Sequence, residues 1–476
     1  MGMRTFLTNL LAAAIVAAGC QTIELSPSMM DIDNCTSSLS VSTKVTPAHI
    51  DAYLNGYKGI PKTRGADVSV APILNGIDTV MYLVNYPEGG WEVLSADTRV
   101  PKVLVMCEGG SMTVDELASN PAEEDLYGAM GDYISYLHDN PDLEVADSLG
   151  NWSDVAHQTE NIQTREIESW VLIGTSVLEE IIEEQDHLTQ TRWRQGSASY
   201  PITMNGWWNL RAPYIDSDKT AHCLNGCVPV AICQMLYYLH YKIGVPTHFY
   251  SDCSTELYIP DGQHSVTILP EDVTLGGYSD SLWNRLPLQL FPQIQTKDSF
   301  VPLASMMLHV GSLVEATYKF YPDSLTALDS TKVTGTSAHM TDVPDAFSSF
   351  NIDCNGPHCY NPNFLYSEIC TNEMPIMVSI ARYDTQNNRH GHAVIFDGYH
   401  CCYRSLEKRY VWNSISGPQY KTTIEDETIE KIAINWGWGT SGMVDSSGAT
   451  IWYNKEIVNW NNYTEIEQMI YGFSTL

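Results

Sequence analysis

The chain has 476 residues, 44% hydrophobic and 17% charged. That is enough for roughly two to three domains with a sizeable core, and it excludes global disorder. A formal net charge of −32 argues against nucleic acid as the main partner, because a backbone-binding protein carries a basic footprint. No apolar run of about 18 residues occurs beyond the N-terminus, so no later membrane span is expected.

Residues 1–20 read as a signal peptide. Arg4 supplies the positive start, and 10–18 form an apolar stretch of the right length. The stretch ends Val16-Ala17-Ala18-Gly19-Cys20, small residues before a cysteine, which resembles a bacterial lipobox with Ala17 where Leu is commoner. Lipidation of Cys20 is the expectation, and an ordinary signal peptide cleaved nearby is the alternative. Either way the protein leaves the cytoplasm, expected as a membrane-anchored lipoprotein at the cell envelope or surface. Export permits disulfides. Of the 12 cysteines, eleven remain if Cys20 is acylated, so at least one lacks an intramolecular partner.

Residues 21–43 are polar and Ser-rich, a tether. A short helix is predicted over 46–57, with Thr46 as cap, Pro47 at its first position and Gly56 near its end. Strands at 79–84 and 91–95, split by Pro87-Glu88-Gly89-Gly90, predict a β-hairpin. A strand over 100–106 and helices over 113–118 and 123–137 complete a small α+β unit, assigned to 44–150. Residues 151–190 are acidic, with Glu179-Glu180 and Glu183-Glu184, and read as a partly helical linker whose charges form a solvated face. From Trp193 onward Trp, Tyr, Gly, Asn and Cys dominate, and 191–476 form the segment that carries chemistry.

Within it, Asn225-Gly226-Cys227-Val228-Pro229 opens a stretch in which Val228, Ala231, Ile232, Met235 and Leu239 recur at three- and four-residue steps. That spacing predicts a core-facing helix. Pro229 fits only a first turn, and Gly244 and Pro246 end the pattern. Cys227 therefore sits at the helix N-terminus, where unpaired N–H groups and the helix dipole favour a thiolate. The competing readings are a buried structural thiol, half a disulfide, or a Cys-x3-Cys-x5-Cys metal site of unusual spacing. A thiolate needs a base. His392, in Arg389-His390-Gly391-His392-Ala393-Val394-Ile395-Phe396, starts an apolar strand beside a glycine; His390 lies further into the polar loop. The base needs an orienter. Asn435, where the strand 431–435 runs into Trp436-Gly437-Trp438-Gly439, can hold the imidazole through its side-chain oxygen, with Trp436 shielding that bond from water.

These segments, in the order Cys, His, Asn, resemble the streptopain family of papain-like cysteine peptidases. Trp193-Arg194-Gln195-Gly196 is similar to the family's Trp-x-Gln-Gly segment, and Trp91 to Arg99 to its inhibitory prodomain, with Ser95-x-Asp97-x-Arg99 after a strand. The resemblance implies an α+β fold: a papain-like peptidase domain, part helical and part antiparallel β, preceded by a small α+β prodomain. It implies that Gln195 donates to the oxyanion with the Cys227 N–H, and that the enzyme is a cysteine endopeptidase made as a zymogen. Its partners are then polypeptide substrates and its own prodomain, with no metal or organic cofactor required. Departures are Pro229 in place of a small residue, Thr440 where Gly is common, and a longer stretch from Cys401 to Glu427. Two other classes compete. A Cys-His amidase or transglutaminase-like enzyme would carry an acidic or second His orienter. A non-catalytic glycan-binding surface lipoprotein would account for the 12 Trp and 27 Tyr.

Overall fold

A computed structural model describes residues 43–54, 68–118, 127–145, 152, 171–195, 204–215, 221–244, 256–260, 262–276, 280–289, 295–319, 336–383, 389–414, 417–455 and 464–476. The expected signal peptide with Cys20, all of the tether but its last residue, Gly196 and residues 151 and 153–170 of the linker lie outside them. Ser42 to Leu476 form one compact unit. Among the described residues no helix is long and apolar enough to cross a membrane.

The N-terminal elements are α1 (Pro47–Ala52), β1 (Ser69–Asn75), β2 (Asp78–Asn85), β3 (Trp91–Ser95), β4 (Val103–Cys107), α2 (Val114–Ala118) and α3 (Gly128–Asp139). The β2–β3 turn closes through Tyr86 N–H donating to the Gly90 carbonyl (3.0 Å), with Gly89 and Gly90 at φ 98 and 91. Those dihedrals favour glycine. The Asp97–Arg99 pair is the joint of this region. Asp97 is fully buried and holds Arg99 at 2.7 Å, and Arg99 donates to the Leu137, Asn140 and Leu143 carbonyls at the C-terminal end of α3. A cation there meets the negative end of the helix dipole, where positive charge is stabilising.

The acidic stretch departs from expectation. Residues 171–185 are not helical but form a strand, β5 (Val171–Gln185), paired antiparallel with β10 (Arg389–Ser414) from Gln185 opposite Tyr399 to Val171 opposite Val411. The apolar pairs Val177-Leu178 and Ile181-Ile182, four residues apart, imitate a helical period. Their β-branched content and an available edge on β10 decide for the strand.

The remaining strands are β6 (Ser265–Thr267) and β7 (Thr317–Lys319), a small pair, and β8 (Ile352–His358), β9 (Ile376–Tyr383), β11 (Gly417–Asn435), β12 (Ile451–Asn454) and β13 (Thr464–Thr475). The main sheet has eleven strands in the order β1-β2-β3-β4-β12-β11-β10-β9-β13-β8, with β5 on β10. The longer stretch noted from Cys401 to Glu427 is the β10–β11 ribbon, in register out to Ser414 opposite Gly417. Strand β4 pairs with β12, so the N-terminal region and the C-terminal half share one sheet. They also share one apolar core, running from Tyr53, Trp91 and Trp152 to Val378, Phe396, Ile432 and Trp436. A second core surrounds α4 (Cys227–Ile243), α5 (Val301–Leu313) and α6 (Val343–Ser348) and reaches Ala393 and Ile395 on β10.

Candidate active site

The loop before α4 is locked before the helix begins. Asn225 is fully buried; its N–H donates to Asn209 Oδ1 (3.0 Å) and its side-chain amide to the Trp208 carbonyl (2.5 Å). Gly226 follows at φ 89, and a Cβ there would lie 2.9 Å from Thr336 Cβ and 3.2 Å from its carbonyl oxygen. Only glycine fits that conformation and space. The first helical bond, Val230 N–H to the Gly226 carbonyl (3.3 Å), makes Cys227 the first helical residue. Pro229 falls among the first N–H positions, which have no partner within the helix, so it costs no bond. Gly244 at φ 67 caps the other end.

Burial separates the thiols. Cys227 is half-buried, whereas Cys223 and Cys233 are fully buried. Desolvation pushes the Cys223 thiol up to about 12 and Cys233 well above the ordinary range, so both stay protonated. Among the described residues nine cysteines, Cys227 included, lie outside any disulfide.

His392 sits on β10, 8% exposed. Its Nε2 meets the Trp436 carbonyl oxygen at 2.8 Å, and its ring stacks on Trp438 at 4.4 Å and 20°. A carbonyl only accepts, so Nε2 carries a proton. Trp436 stacks more distantly, at 6.4 Å from the imidazole, and lies nearly parallel to Trp438 at 5.9 Å. Trp438 is therefore the closer cover, a residue the sequence reading left out of the site. The Trp-x-Trp repeat flanking Gly437 was the available signal.

Asn435 does not hold the imidazole. Its amide N–H groups go to Thr189 Oγ1 (2.9 Å), Gln234 Oε1 (3.0 Å) and the Thr191 carbonyl (3.3 Å). Its oxygen accepts from Gly437 N–H (3.1 Å) and Gln234 Nε2 (3.2 Å). The expectation drawn from the Asn-Trp order is thus corrected: the contact to His392 comes from the backbone one residue later. The physical reason is that Gln234, on the buried face of α4, offers the Asn435 side chain a complementary amide. Thr189 extends the network by donating to Asp397, which pairs with His187 Nδ1 at 2.7 Å. Burial opposes the charge on His187, but the adjacent Asp397 carboxylate outweighs it and holds the imidazole above its ordinary pKa.

These contacts bring the named residues to one turn. Gln234 and Cys227 lie seven positions apart on α4, two turns along one face and about 10 Å along the axis. Gln234 bonds Asn435, and Val230, between them, lies 3.4 Å from a Cβ built on Gly437. Cys227 is one turn beyond Val230. Gln195, half-buried, donates its backbone N–H to the Gly437 carbonyl (3.3 Å), and Gly439 N–H donates to the Trp193 carbonyl (3.2 Å). Trp193 fixes that segment by donating its indole N–H to the Pro287 carbonyl (2.6 Å). Val230 in the first turn of α4, the Gln195 backbone N–H and the ring of His392 thus meet the Trp436-Gly437-Trp438 turn. The arrangement brings the helix whose first residue is a half-buried thiol to the turn that holds a stacked imidazole with a defined donor. That set suits acyl transfer through a covalent thioester.

A family profile described as the Peptidase C10 family matches residues 207–446, just over half of the chain. No curated protein matches it significantly. Among solved structures, a mutant prointerpain A fragment from Prevotella intermedia is similar over 85% of this chain and 99% of its own, at 18% identity and a TM-score of 0.46. The active wild-type interpain A cysteine protease of the same organism is similar over 61% and 97%, at 19% identity and a TM-score of 0.36.

Proposed function

The chain belongs to the Peptidase C10 (streptopain) family of papain-like cysteine peptidases and is a cysteine endopeptidase, and from that premise we propose that Cys227 and His392 are its nucleophile and acid–base pair. The Cys227 thiolate attacks the scissile carbonyl carbon, and the carbonyl electron pair moves onto oxygen. Gln195 and the Cys227 N–H donate to that oxyanion; one such donor is worth about 2.7–4 kcal/mol. His392, as imidazolium, protonates the leaving amine as the C–N bond breaks and the thioester forms. His392 then takes a proton from water as its oxygen attacks the thioester carbon; the C–S bond breaks, the acid leaves, and the Cys227 thiolate and His392 imidazolium are restored. Trp436 orients the ring through its carbonyl, and Trp438 shields it. The observation that carries this reading is the approach of two independent elements, the first turn of α4 and the His392 strand, to the same Gly437 turn.

The finer reading is that the enzyme is made as a zymogen, exported and lipid-anchored through Cys20. Residues 44–150 are then an intramolecular inhibitor, and processing falls within 151–190. Strand pairing supports a cut outside 171–185, because bonds held in β5 are protected by β10. Polypeptides are the substrates. The test is mass spectrometry of the secreted chain after an epoxide thiol inhibitor, alongside a Cys227→Ala variant. Expected are one label on Cys227, a mature N-terminus within 151–190, and no hydrolysis or self-processing by Cys227→Ala. An active Cys227→Ala chain overturns the assignment.

A further inference from the structure

Three side chains far apart in sequence converge outside the catalytic turn. Glu108 follows β4, Glu184 lies on β5, and His400 lies opposite Glu184 on β10. One ligand atom from each lies within 4.8 Å of the other two. His400 Nδ1 and Glu184 Oε2 are 3.2 Å apart. In a tetrahedral site with bonds of about 2.0–2.2 Å, neighbouring ligand atoms stand about 3.3–3.6 Å apart, so the His400–Glu184 spacing fits with a small adjustment, and the separations of up to 4.8 Å close as the exposed carboxylates turn inward. His400 is 1% exposed and packs against Trp452 at 5.3 Å, which fixes the ring, while both carboxylates are exposed and open to an ion from solvent. Lys431, opposite His400 on β11, carries its ammonium to Met106 Sδ at 2.6 Å.

We propose that Glu108, Glu184 and His400 bind one divalent transition-metal ion of the zinc class. An imidazole with two carboxylates favours zinc over calcium or magnesium, which take all-oxygen sets, and three protein ligands leave a position for water. The ion plays no part in peptide cleavage. It ties the end of β4, strand β5 and the β10 ribbon together, and so joins the N-terminal region to the C-terminal half. The site stands independently of the Cys227–His392 reading.

The experiment uses the full chain carrying Cys227→Ala, which removes the catalytic thiol as a competing ligand and prevents self-processing. Zinc chloride is titrated calorimetrically, and the bound metal is counted after equilibrium dialysis. Expected is one equivalent, with affinity at least tenfold weaker in Glu184→Gln, Glu108→Gln and His400→Gln. Zinc should also raise the unfolding midpoint of the parent but not that of Glu184→Gln. If His400→Gln fails to fold, the two exposed glutamate variants decide. No stoichiometric binding, or equal affinity in parent and Glu184→Gln, overturns the site and leaves an ion-pair cluster only.

Discussion

Replacing Asn435 with alanine separates a direct hold on the imidazole from a structural role. In the parent, Asn435 is fully buried and makes five hydrogen bonds, none to His392. Truncation orphans two buried donors, Gly437 N–H and Gln234 Nε2, whereas Gln234 Oε1 keeps its bond from Thr191 Oγ1 (3.1 Å). At about 1–3 kcal/mol for each unsatisfied buried group, the loss is about 2–6 kcal/mol. Urea unfolding of Asn435→Ala in the Cys227→Ala background reads this directly. In the active enzyme, kcat/KM should fall because the Gly437 turn loosens. The midpoints of its pH profile should stay within a few tenths of a unit, since the Trp436 carbonyl still holds Nε2. A variant as stable as the parent but with a shifted His392 titration would refute the reasoning and restore Asn435 as the orienter.

Two further outcomes follow from the same geometry. Gly226→Ala places a Cβ 2.9 Å from Thr336 at φ 89 and should lower kcat/KM at least tenfold, whereas Gly244→Ala, at φ 67 with open space, should cost about 1 kcal/mol of stability and leave kcat/KM unchanged; equal kinetics for both variants would show that the helix start does not position the thiol. The His187–Asp397 pair predicts a pH effect whose sign is set by a folded pKa above the unfolded value near 6.5. Its stabilisation is complete below about pH 6.5 and declines as pH rises through the raised folded value, so unfolding free energy measured upward from pH 6 should lose that slope in His187→Gln; an identical slope in both chains contradicts the pairing.

How much was legible in the sequence differs by element. The start of α4 could be read locally, because Gly226, Cys227 and Pro229 state a helix N-terminus through backbone conformation and missing N–H bonds, whatever lies around them. The β2–β3 turn is local in the same way. The strand β5 could not be read, since its apolar pairs satisfy a helical period and only an edge on β10, more than 200 residues away, makes the extended form better. The sharing of a sheet by β4 and β12 is decided by distant partners too.

In the site itself, residue types and order carry the chemistry that we propose: a thiol at a helix start, an imidazole on a strand, an amide before Trp-Gly-Trp. Which oxygen meets the imidazole was decided by packing. Gln234 occupies the Asn435 amide, so the Trp436 carbonyl takes the ring nitrogen and Trp438 covers it. Short-range rules act through the chain's own bonds and are written residue by residue. Hydrogen-bond partners and sheet edges are chosen by competition among groups that only the folded chain brings within reach.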